Sequence, residues 1–145
     1  MRTYSKFGVV FTLLFLAFGR TVEAEESASL GRFDLQLNRL SPSDKGCLMT
    51  FVVHNGLPGP LDKSAFEMVI FNGEDLVERM TVFDFGALPP GKTVVRQFEM
   101  QNMACDGIGR ILVNGAKACT GEGVAPGACI GALKTDSKAD IPFGS

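Results

Sequence analysis

Three absences bound this chain before any motif is read. It has no cluster of lysine and arginine, and surfaces that bind nucleic acid or anionic membranes are built from such clusters. Neither partner is expected. It has a single histidine, His54, and no Cys-x-x-Cys pair, so the ligand spacing of a zinc site is missing. It also has no apolar run near the roughly 20 residues that a membrane-spanning helix needs. The run from Phe7 to Phe18 is 12 residues long and is interrupted by Gly8 and Thr12.

That short run has a different meaning. Arg2 and Lys6 precede it, and Val22-Glu23-Ala24 follows it with side chains that a signal peptidase accepts, just before the polar Glu25-Glu26. The pattern predicts a secretory signal peptide over residues 1–24, cleaved after Ala24. The first cysteine is Cys47, too far from the run to serve as a lipid anchor. A soluble periplasmic protein without stable membrane insertion is the expectation. Without Arg2, Lys6, Arg20 and Glu23, the 14 basic and 16 acidic residues of the chain become 11 and 15, a net charge of about −4. The 121 residues that remain suffice for one buried core rather than two.

Four cysteines lie in that remainder: Cys47, Cys105, Cys119 and Cys129. An even number in a small exported domain reads as a disulfide framework, for which three connectivities exist. Between Cys119 and Cys129 the chain is Thr-Gly-Glu-Gly-Val-Ala-Pro-Gly-Ala, a stretch without strand pattern that can fold back at little steric cost. The expected pairing is therefore Cys119 with Cys129 and Cys47 with Cys105.

Apolar residues recur mainly with period two, the signature of strands. Phe33, Leu35 and Leu37 alternate with Asp34, Gln36 and Asn38, and Cys47, Met49, Phe51 and Val53 share one face of a second segment. Asn55-Gly56 after it reads as a turn. Phe66, Met68 and Ile70 form a third stripe that stops at Asn72-Gly73; residues 76–85 and 93–100 follow, separated by Leu88-Pro89-Pro90-Gly91. Residues 108–113 form a sixth strand, and Asn114-Gly115 reads as a hairpin turn into a seventh at 116–119. No segment is left for crossover helices, which favours an all-β, antiparallel, immunoglobulin-like sandwich of about seven strands over residues 25–133, stapled by disulfides. Residues 134–145 are polar and are expected to form a flexible tail.

Phe83-Asp-Phe-Gly-Ala-Leu-Pro-Pro-Gly-Lys and Cys105-Asp-Gly-Ile-Gly-Arg-Ile-Leu-Val-Asn-Gly resemble an uncharacterised group of small exported alphaproteobacterial proteins, a likeness that extends over about residues 30–130. The strand-like segments Cys47–Asn55, Phe66–Phe71 and Leu88–Thr93 resemble immunoglobulin-like and fibronectin-type sandwiches in architecture. The resemblance implies an exported location and no particular activity.

No motif carries catalysis. Asp84-Phe85-Gly86 spells the metal-binding triplet of protein kinases, but the Gly-rich loop, paired lysine and catalytic aspartate of that fold are absent. Gly107-Ile108-Gly109 and Gly121-Glu122-Gly123 are too short to cradle a phosphate. An acid/base pair would have to combine His54 with Asp44, Asp84 or Asp106. A soft metal such as Cu(I) would draw on Met100, Met103 and Cys105, although Met49, Met68 and Met100 stand where a strand core wants apolar side chains. No catalytic residue, metal ligand or cofactor is therefore expected, and the chain reads as a binding or structural module of the cell envelope. Its candidate contact to an envelope protein is the loop from Leu57 to Ala65, and the sequence fits equally a loop that presents Leu57 and Leu61 to the partner and a plain connection folded onto the core.

Overall fold

A computed structural model describes residues 31–145; the signal peptide and its cleavage point after Ala24 lie outside them. Eight strands, β1 (Arg32–Ser43), β2 (Gly46–Gly56), β3 (Leu61–Asn72), β4 (Val77–Leu88), β5 (Thr93–Gln101), β6 (Ile108–Thr120), β7 (Leu133–Ser137) and β8 (Phe143–Gly144), form two sheets. Sheet A has the order β5-β2-β1-β7 and sheet B the order β4-β3-β6-β8. Among the described residues, a single 3-10 turn, Cys105–Gly107, precedes β6, and one helical turn, α1 (Ala128–Gly131), precedes β7.

The alternation predicts the inward faces. Phe33, Leu35 and Leu37 of β1 and Cys47, Met49, Phe51 and Val53 of β2 are buried against Phe66, Met68 and Ile70 of β3, Phe83 and Phe85 of β4, and Ile111 and Val113 of β6. Phe51 is the hub: its ring lies 5.6–6.0 Å from those of Phe83, Phe85, Phe98 and Phe143. Full burial of each such ring contributes roughly 1.5–3 kcal/mol, and edge-to-face packing adds to it. Each sheet carries one disulfide. Cys47 of β2 is joined to Cys105 in the 3-10 turn, and Cys119 of β6 to Cys129 in α1.

Local turn chemistry holds at two hairpins. Asp44-Lys45 links β1 to β2, and the Ser43 hydroxyl accepts from the amides of Lys45 and Gly46. Between β3 and β4, the Asn72 carboxamide oxygen accepts from the amides of Glu74 and Leu76, each at 3.0 Å.

Four expectations are corrected. Asn55-Gly56 does not turn: both residues lie within β2, because buried Asn55 donates to the carbonyls of Gly59 and Leu88 and accepts from the Leu57 amide. Asn114-Gly115 does not turn either. β6 runs through it unbroken against β3, and the extra residues are absorbed as bulges at Asn114 and Lys117. The expected sixth and seventh strands are thus one. Residues 134–145 are not a free tail, since β7 pairs with the open edge of β1 and β8 with that of β6, and Phe143 is buried against Phe51. Both of those pairings are parallel, so neither sheet is purely antiparallel as expected.

Candidate functional site

The side chains predicted to meet a partner do not reach the surface. Leu57 and Leu61 are both buried in the core, and residues 61–65 belong to β3 rather than to a loop. The correction has a local cause. Asn55 pins the segment after β2 to the end of β4, and that turns its two leucines inward.

The residues considered for catalysis are not assembled. His54 is near one end of β2, where its Nδ1 lies 3.1 Å from the Thr93 hydroxyl. Asp44 sits in the hairpin at the other end of that strand, roughly 25 Å away at strand rise, and Asp106 is beside Cys105 near that same end. Asp84 lies on the opposite sheet and accepts from the Gly86 amide at 2.8 Å. Of the candidate copper ligands, Met100 and Met103 are packed into the core and Cys105 is bridged to Cys47, which leaves it no thiolate. Among the described residues, no three of His, Cys, Asp and Glu come together as a metal site, and no helix is long and apolar enough to cross a membrane.

What the fold does present is the outer face of sheet B. Its side chains alternate with the buried ones: Glu67, Val69 and Phe71 on β3, Met80, Val82 and Asp84 on β4, Arg110 and Leu112 on β6. The register sets Val69 directly opposite Met80 on one side and Leu112 on the other, and Phe71 opposite Val77 and Arg110. A row of apolar side chains therefore crosses three strands, with Val69 at its centre buried and Leu112 half-buried. Met80 and Val82 stay about half exposed, at 55% and 48%, and Leu76, just before β4, and Val77, its first residue, slightly more so. Apolar patches of this kind, rimmed by polar groups, mark interaction surfaces.

The rim is charged and ordered. The Arg110 guanidinium lies 3.4 Å over the Phe71 ring and pairs with Asp75. The bulges of β6 at Asn114 and Lys117 aim their side chains at one carboxylate: Asn114 donates to Glu67 at 2.6 Å, and the Lys117 ammonium lies 2.9 Å from it. Re-aiming a side chain is a usual role of a bulge. The hydrogen bonds from Lys117 and then Asn114 hold the Glu67 carboxyl below its ordinary pKa, with a smaller opposing effect of burial. At the β4 edge, Arg96 of β5 donates to the Phe85 carbonyl at 2.9 Å, and Arg79 of β4 donates to the Gln101 carbonyl at 3.0 Å. Two arginines thus occupy carbonyls that exposed edges would otherwise offer to another chain.

Sequence reading passed over this face. Its signal was present in β4, where Met80 and Val82 are apolar at one parity and Phe83 and Phe85 at the other. A strand apolar on both faces is covered on both sides or is meant to be. No protein-family model, no curated protein and no solved structure matches the chain.

Proposed function

We propose that this protein is a small exported module of the cell envelope, working in the periplasm, that binds rather than catalyses and takes a protein partner on the outer face of sheet B. The observation that carries the reading is the cross-strand row Met80, Val69 and Leu112, apolar on a face that the core does not need. Export is supported by the leader pattern of residues 1–24 and by four cysteines spent on two bridges, chemistry suited to an oxidising compartment. The immunoglobulin-like label rests on β1–β6, whose orders β5-β2-β1 and β4-β3-β6 follow the E-B-A and C′-C-F arrangement of those sandwiches.

The test is capture from a periplasmic extract with the purified protein and with a Met80→Glu, Val82→Glu variant. Loss of a discrete captured species in the variant supports the reading, and equal capture by both removes it. Titration with Cu(I) against a chromophoric chelator addresses the sulfur-ligand alternative. Buried Met100 and Met103 predict no competition.

A further inference from the structure

We infer that the occupant of the outer face of sheet B is a second copy of this chain, packed face to face about a two-fold axis that runs along β3. The inference rests on the reading of that face as a docking surface and adds its partner.

Charge distribution selects this arrangement. On the outer face, β4 carries Glu78 and Asp84, and β6 carries Arg110 and Lys117. The acidic strand and the basic strand flank β3 on opposite sides. Rotation about an axis along β3 lays each β4 over the β6 of the other copy while preserving the level along the strands. Glu78, in the bulge between Val77 and Arg79, is level with Phe71, as is Arg110; Asp84 is level with Ala65, close to Lys117. Four charge contacts across the interface follow, two of Glu78 with Arg110 and two of Asp84 with Lys117, each cation being shared with the carboxylate it already meets within its own chain, Asp75 or Glu67. Met80 then covers Leu112 of the other copy, and both stand opposite Val69 in their own sheet. Glu67 lies near the axis, where its charge is already met by Lys117 and Asn114.

The competing self-association is weaker on the same grounds. Edge-to-edge pairing of two β4 strands about Thr81 would set Met80 against Val82 but Glu78 against Asp84, and like charges directly opposite are destabilising. Face packing of aligned sheets at about 30° keeps the side chains within reach. It also makes the interface isologous, as a two-fold dimer requires.

Sedimentation equilibrium over a concentration series tests the inference. Wild-type protein should show a monomer–dimer equilibrium that weakens with added salt, and Met80→Glu should raise its dissociation constant at least tenfold. Glu78→Lys alone and Arg110→Glu alone should each be monomeric, while an equimolar mixture of the two should dimerise, because only the mixed pair restores opposite charges on both sides of the axis. If Arg110→Glu does not fold, Asp84→Lys mixed with Lys117→Glu reads the same complementarity. A wild type that stays monomeric at every concentration overturns the inference, as does a mixture no more dimeric than its components. In either case, capture that depends on Met80 and Val82 still judges the docking surface itself.

Discussion

The two sheets have matching interiors and different exteriors. Both bury alternate apolar residues in one core, yet the outer face of sheet A is a polar lattice: Gln36 donates to Asp136 at 2.7 Å, Gln97 donates to Thr50 at 3.0 Å, and His54 meets Thr93. Its apolar cross-strand pair, Val52 with Val95, is flanked by polar rows. The outer face of sheet B carries an apolar row across three strands, with Glu67 beside it on central β3 and the other charges on the flanking strands. Folding asks the same of both sheets, namely one apolar face each, and sheet A shows that a polar exterior satisfies it. On the function proposed above, the apolar exterior of sheet B serves docking rather than folding.

The comparison can be broken most severely through the disulfides, one of which serves each sheet. Cys47 and Cys105 are 58 residues apart and Cys119 and Cys129 are 10 apart. On the chain-entropy account, replacing both cysteines of the long bridge by serine costs about 4 kcal/mol, and doing so for the short one about 3 kcal/mol. Urea midpoints of the two double variants check the order, and a larger loss for the short bridge would show that sheet B depends more on its staple.

Next in size is Asn55, whose buried side chain joins the end of β2 in sheet A to the end of β4 in sheet B. Asn55→Ala leaves the carbonyls of Gly59 and Leu88 and the Leu57 amide without their partner, at a cost of about 3 kcal/mol. A melting temperature unchanged from wild type would remove this residue as a link between the sheets.

Paired surface substitutions sharpen the contrast itself. Val52→Thr with Val95→Thr on sheet A, and Met80→Thr with Val82→Thr on sheet B, should each change unfolding free energy by no more than about 0.5 kcal/mol. Only the second pair should alter sedimentation. Equal effects on association would mean that the two exteriors do not differ in function.

The smallest expected effect is the acid response of Glu67. Its folded pKa is lowered, so its stabilising contribution is complete above the ordinary glutamate pKa and is lost as pH falls through the folded value. Between about pH 5 and pH 3, wild type should lose stability relative to Glu67→Gln. A stability difference that stays constant over that window would contradict the arrangement of Lys117 and Asn114 around this carboxylate.

The sequence by itself determined the fold class and the contents of the core. Strict alternation at Phe33–Leu37, Cys47–Val53 and Phe66–Ile70 assigns each side chain to a face, because the period of a strand is two whatever lies beside it. Cysteine spacing was equally local, since ten residues rich in glycine close on themselves. Tertiary structure decided what depends on neighbours distant in the chain. Asn55-Gly56 and Asn114-Gly115 carry the dipeptide of a turn, but partner strands hold both extended, and propensity yields to ladder pairing. Residues 134–145 look polar and free until β1 and β6 offer them open edges. Leu57 and Leu61 sit among prolines like a displayed loop until the hydrogen bonds of Asn55 turn them inward. The candidate site became visible last of all. Met80, Val69 and Leu112 come from three strands, and only their register makes one surface of them.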